Sequence, residues 1–190
     1  MANVQTPPHA AQAQKPPAER STIDLALRGV LAILVLAFLA LVGRSLRDNS
    51  AKEGARAPEF SIVTDQGQRV TATSFGGRVL VLNFWATWCQ PCVQEVPSLN
   101  QFQREFANSG VVVLALSVDT NEQKYKNFLR RIPVSFLTAR DPNADVSAKY
   151  GTFQYPETYI IKDGRVIRKF AESEDWTSDD IVRLMKTLVG

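Results

Sequence analysis

Histidine and cysteine are nearly absent from this chain, which holds one histidine and two cysteines in 190 residues. The histidine, His9, stands in a Pro-rich head, so neither a Cys–His nucleophile nor histidine ligation of a metal is expected in the folded part. Two cysteines cannot complete a four-thiolate zinc site, nor leave a second pair for a structural bridge. No metal and no cofactor is expected. Charge of one sign is lacking as well: Lys and Arg number 22 against 19 Asp and Glu, a net charge of +3. The basic residues are scattered, without the run or stripe that nucleic-acid binders carry, so no nucleic-acid partner is expected. No internal repeat is present, which excludes a solenoid.

Long hydrophobic runs are scarce too, and the exception organises the chain. Residues 25–42 are apolar except for Arg28, long enough to approach a bilayer core if helical. Arg28 and Arg44 can snorkel to the two interfaces, which extends a short span. A cleaved signal peptide would need a small-residue cleavage site after the run, and none is clear. Residues 23–46 are therefore read as a transmembrane anchor. Lys15, Arg20 and Arg28 before it are matched by Arg44, Arg47, Lys52 and Arg56 after it, so charge does not decide its orientation. Residues 1–22, rich in Pro, Ala and Gln, read as a disordered head. The charged, small residues 47–57 read as a linker, and residues 58–190 as one folded domain.

Within that domain, residues 60–64 and 68–71 flank Asp65-Gln66-Gly67 and predict a small hairpin. Residues 79–85 and 111–118 are continuous apolar runs, the pattern of strands buried on both faces of a sheet. Between them Val96, Leu99, Phe102 and Phe106 recur at helical spacing over residues 92–107. Pro97 should kink that helix. A second helix is expected over 123–131, a strand over 134–137, a helical turn over 145–150, and a hairpin turning at Asp163-Gly164. A last helix over 178–188 is capped by Ser178 and buries Ile181, Leu184 and Leu188. The whole is an α/β domain with helices on both faces of the sheet.

Cys89 and Cys92 fall where the first buried strand gives way to a helix. Free backbone amides and the positive end of the helix dipole stabilise a thiolate there, which makes Cys89 the expected exposed, low-pKa nucleophile. Cys92, one turn on, would attack a mixed disulfide formed on Cys89 and close the ring. Pro91 fits the first turn, where its missing amide costs little.

The stretch Asn83-Phe84-Trp85-Ala86-Thr87-Trp88-Cys89-Gln90-Pro91-Cys92, with Glu95, Pro97 and a downstream Pro-Glu-Thr before a strand and an Asp-Gly turn, closely resembles the TlpA, ResA and CcmG (DsbE) branch of thioredoxin-like proteins. The resemblance spans roughly residues 58–190. It implies a thioredoxin-like fold: a central mixed sheet, an N-terminal β-hairpin and a central insert, preceded by a transmembrane helix. It implies an extracytoplasmic thiol-disulfide oxidoreductase tethered to the cytoplasmic membrane, its catalytic domain on the periplasmic side. Its protein substrates would carry disulfides or thiols, apocytochrome c among them, and a membrane thiol carrier would supply reductant. Tyr155-Pro156 resembles the family's cis-proline beside the cysteines, offering backbone hydrogen bonds to an extended substrate, with Trp88 close by. Glu95 resembles the family's active-site glutamate, a proton acceptor for the resolving thiol. Asn83 departs from the buried Asp of many cytoplasmic thioredoxins, which places more weight on Glu95.

Two other activities are compatible with such a fold. A thiol peroxidase normally has Thr-x-x before its cysteine, and Thr87 is only two residues ahead of Cys89. A membrane-tethered metal carrier would add a histidine ligand and wider cysteine spacing. A purely structural role with a vestigial disulfide leaves no motif that would exclude it.

Overall fold

The computed structural model describes residues 22–45 and 51–190. Residues 1–21 of the head with His9, residue 46 of the anchor and residues 47–50 of the linker lie outside the described residues. Two units are described separately. The first is helix α1 (Thr22–Ser45), roughly 36 Å long at 1.5 Å per residue. Its segment Leu25–Gly43 has a mean hydropathy of 2.7 and is long and apolar enough to cross a membrane, as fits a single-pass anchor.

The second unit is built on a five-stranded mixed sheet. Strands β1 (Ser61–Val63) and β2 (Arg69–Thr71) form the expected hairpin. Strands β3 (Val79–Trp85), β4 (Val111–Ser117), β5 (Leu137–Arg140), β6 (Glu157–Lys162) and β7 (Arg165–Phe170) stand in the order β5-β4-β3-β6-β7. β3 runs parallel to β4, and β4 to β5. β6 is antiparallel to β3 and β7 antiparallel to β6. The β6–β7 turn places Asp163 at φ 50° and Gly164 at φ 71°, the left-handed pair a two-residue hairpin turn requires.

Every residue of β3 is buried because the strand is central and covered on both sides. Val79, Val81 and Trp85 join one core cluster with residues of α2 (Gln90–Phe106), α3 (Glu122–Arg131) and α5 (Asp179–Val189). Leu80, Leu82 and Phe84 point the other way, against Phe60, Phe75 and α4 (Asp145–Tyr150). This alternation follows from the two-residue period of a strand. Asn83, between Leu82 and Phe84, therefore faces the α2 side. α2 continues past Pro97 to Phe106, and α3, β5 and α4 stand between β4 and β6.

Three expectations are corrected. Residues 51–57, expected as linker, are folded on the domain. Ala51 N–H donates to the Tyr150 carbonyl (2.8 Å), Gly54 N–H to that of Val166 (2.7 Å) and Ala57 N–H to that of Gly164 (2.9 Å). The free backbone groups of edge strand β7 provide partners that composition does not reveal. The strand expected at 134–137 is β5, displaced to Leu137–Arg140. Asn100 on α2 holds the approach to it instead, accepting from Ser135 N–H (2.7 Å) and donating to the Pro133 carbonyl (3.2 Å). In α5 Ile181 is buried as expected and Leu184 and Leu188 pack partly buried against the same core, but Met185 is the residue most deeply buried, and Ser178 occupies the N-cap without a side-chain bond.

Candidate active site

β3 delivers the chain to the cysteines and β4 holds it there. Just beyond β4, the buried Asp119 accepts from Thr87 N–H (2.8 Å) and from the Thr87 hydroxyl (2.7 Å). The Ser117 hydroxyl also donates to Asp119 (2.6 Å). The turn between β3 and α2 is thus pinned to the neighbouring strand. Cys89 is the N-cap of α2, with Pro91 in the first turn. Cys89 and Cys92 form a disulfide with their Cα atoms 5.3 Å apart. The Cys92 N–H donates to Cys89 Sγ at 3.3 Å, a bond that in the reduced protein favours a thiolate.

The loop before β6 faces the disulfide. The Tyr155-Pro156 peptide is cis, and the Tyr155 carbonyl oxygen lies 3.4 Å from Cys89 Sγ. The Tyr155 ring meets the exposed Trp88 edge-on, with ring centroids 6.1 Å apart. Cys89 itself is only 6% exposed, against the expectation of an exposed nucleophile, while Cys92 is 1% exposed. In the disulfide, the partner sulfur and the Tyr155 carbonyl occupy the space around Cys89 Sγ.

Glu95, one turn along α2 from Cys92, is 3% exposed. Its Oε1 accepts from Asn83 Nδ2 (2.8 Å), which also donates to Thr158 Oγ1 (2.9 Å). Its Oε2 accepts from Glu174 N–H (3.2 Å) and Trp176 Nε1 (3.4 Å). Burial, which penalises the charged carboxylate, lifts its pKa to about 7, although the three donors pull the other way. Residues 171–177 thus strap the Glu95 pocket, and the Ser173 hydroxyl donates to the Pro91 carbonyl (3.2 Å) inside the dithiol turn. A cavity of about 440 Å³ lies at the opposite end of the sheet, lined by Arg56, Phe75, Arg78 and Arg165 among others, away from the cysteines.

A pinned dithiol turn at a helix start, a cis-proline loop against the sulfur and a buried carboxylate behind it form the arrangement for thiol-disulfide exchange, and comparison with known proteins agrees. Residues 54–170 match the AhpC/TSA family. The thiol-disulfide oxidoreductase ResA of Bacillus thuringiensis subsp. konkukian is 30% identical over 145 residues, 74% of this chain and 84% of that protein. The chain belongs to the thioredoxin-like thiol-disulfide oxidoreductases of this family. The thioredoxin-like protein YneN of Bacillus subtilis is similar at 31% identity over 147 residues, 75% of this chain and 86% of that one. A Chlorobium tepidum structure described as a thiol:disulfide interchange protein DsbE superposes with a TM-score of 0.69 at 28% identity, covering 74% of this chain and 100% of that one.

In this oxidoreductase the structure brings together all six residues singled out from the sequence: Cys89, Cys92, Glu95, Trp88, Tyr155 and Pro156. Thr87, weighed for a peroxidatic role, has its hydroxyl engaged by Asp119. Trp85, in one core cluster with both cysteines, packs against Tyr125 and Phe128, with ring centroids 6.1 and 5.2 Å away. Its indole N–H is buried without an acceptor among the described residues. Sequence reasoning missed Asp119 and Trp176. For Trp176 a signal existed: a lone tryptophan inside the acidic stretch 172–180 has no reason to be there unless it is buried.

Proposed function

We propose that the oxidoreductase acts as a membrane-tethered, extracytoplasmic reductant of protein disulfides, with Cys89 attacking and Cys92 resolving. The buried Glu95 carboxyl one turn behind Cys92 carries the exchange step, and the family resemblance supplies the direction and the side of the membrane. The Cys89 thiolate attacks a substrate disulfide, forming a mixed disulfide and releasing one substrate thiolate. Cys92 then gives its proton to Glu95 and attacks Cys89 Sγ. The second substrate thiolate leaves, and the Cys89–Cys92 disulfide closes. Two electrons pass from enzyme to substrate. A carboxyl with a pKa near 7 is matched to accepting that proton at neutral pH. The Tyr155 carbonyl and the Trp88 ring would hold the substrate strand beside Cys89.

The likeness to ResA and DsbE proteins points to apocytochrome c as substrate, and an oxidising compartment would require a membrane thiol carrier to restore the dithiol. The apolar helix α1 supports a tether, and reporter fusions after Gly190 test its sidedness. The decisive test is the redox potential, read from tryptophan fluorescence in thiol–disulfide buffers. A midpoint near the roughly −270 mV of thioredoxin supports a reductant, whereas one near the roughly −120 mV of a strong oxidant refutes the direction.

A further inference from the structure

Outside α1, the described residues leave three large apolar side chains exposed: Val63 at 45%, Trp88 at 67% and Phe153 at 81%. Two of the three stand on the segments that meet at the disulfide. Trp88 precedes Cys89, and Phe153 stands two residues before Tyr155, whose carbonyl is 3.4 Å from Cys89 Sγ. An aromatic ring left in water beside a reactive sulfur needs a reason, since collapse onto the surface would be favourable.

The loop carrying Phe153 is built so that it cannot collapse. Thr152 and Glu157, at 1% and 5% exposure, close its two ends. The Thr152 hydroxyl donates to Glu157 Oε1 at 2.5 Å, and the Tyr159 hydroxyl donates to the same oxygen. Lys169 Nζ lies 3.2 Å from Glu157 Oε2. At the loop's centre Tyr155 is fixed through its hydroxyl, 3.3 Å from Ser147 Oγ, and through its ring on Trp88. Residues 153–156 are therefore a short stapled arch, with Phe153 on its solvent side.

We infer that Phe153 is a specificity-determining residue that, with Trp88, receives an apolar side chain flanking the reacting cysteine of an unfolded polypeptide substrate. The occupant is a cysteine-bearing segment because Trp88 adjoins Cys89 and Phe153 lies in the loop whose Tyr155 carbonyl meets the one sulfur that a substrate must reach. It is a polypeptide because a small hydrophilic disulfide such as that of glutathione has no apolar side chain to set against two rings. This rests on the reading of Cys89 as the attacking thiol.

The test uses the full-length protein in detergent, reduced and mixed with two disulfide-linked peptides that differ only in Phe or Ser beside the cysteine. The wild type should prefer the Phe peptide. In Phe153→Ser the preference ratio in kcat/KM should fall about tenfold, chiefly through KM for the Phe peptide, and Phe153→Leu should restore most of it. A loop merely disordered by the change would slow both peptides together and leave the ratio intact, which would overturn the inference. Equal wild-type rates on both peptides would also overturn it. So would a shift from dimer to monomer in Phe153→Ser with an unchanged ratio, which would assign the patch to self-association. A wild type that reduces neither peptide would refute the proposed function itself.

Discussion

Replacing Glu95 by Gln should make the stability of the domain nearly independent of pH across the range where the wild type weakens. In the folded domain the Glu95 carboxyl titrates at about 7, against an ordinary value of 4.5. Between those values the native state binds the proton that the unfolded chain has released, so unfolding free energy falls as pH rises and levels off above about 7. At about 1.4 kcal/mol per pH unit the full displacement is worth about 3.5 kcal/mol, of which about 2.5 falls between pH 5 and pH 8. Gln cannot ionise and fits the site. Its oxygen can face Glu174 N–H and Trp176 Nε1, and its amide can face Asn83, whose own carboxamide turns to accept. The assay is urea unfolding of oxidised residues 51–190, which contain both core clusters of the sheet, at pH 5, 6, 7 and 8. The Gln variant should gain about 2.5 kcal/mol on the wild type over that interval. Parallel stability curves would refute the reasoning, because burial would then not be holding the carboxyl's proton.

Asn83→Asp would place a second carboxyl where Asn83 Nδ2 now lies 2.8 Å from Glu95. The pair can hold only one charge comfortably, so urea unfolding should show a loss of about 2–4 kcal/mol at pH 8 that largely disappears at pH 5. Asp119→Ala leaves the Thr87 N–H, the Thr87 hydroxyl and the Ser117 hydroxyl without their acceptor. It should cost about 2–3 kcal/mol and speed exchange of the Thr87 amide, and unchanged exchange would count against the pinning role. Cys92→Ser removes the resolving sulfur, so the reduced variant should accumulate a stoichiometric mixed disulfide on Cys89 by mass spectrometry; rapid release of product would reverse the two roles.

The strands around the cysteines were legible because β3 and β4 are buried on both faces and carry unbroken apolar runs. The β6–β7 turn announced itself through Asp163-Gly164. What escaped was structure held by long-range polar contacts. β5 hides because Thr138 is buried with its hydroxyl on Asp65 (2.5 Å), so a polar residue stands where an apolar one was sought. Residues 51–57 escaped because backbone pairing on an edge strand leaves no side-chain pattern. Asn83 was visible as a departure from a buried Asp, but its bond to Glu95 joins residues twelve apart through the packing of α2 on the sheet. Trp176 reaches the same carboxyl from 81 residues away. No periodicity encodes that.

Both borders of the five-stranded sheet are closed by one N-terminal stretch: residues 51–57 beside β7, and Thr64 and Asp65 beside β5, where Asp65 N–H donates to the Thr138 carbonyl at 2.8 Å. Five residues separate Ser45, the last described residue of α1, from Ala51, where the chain enters this clasp. If α1 is the tether proposed above, tension on it would fall first on the Ala51–Tyr150 bond and then on the Gly54, Ala55 and Ala57 pairings with the β7 hairpin, which would peel in turn. The dithiol turn, on the central strand with two strands to either side, lies outside that line of force. A clasp that yields at the rim would let a tethered domain be pulled about without disturbing the geometry at the sulfurs.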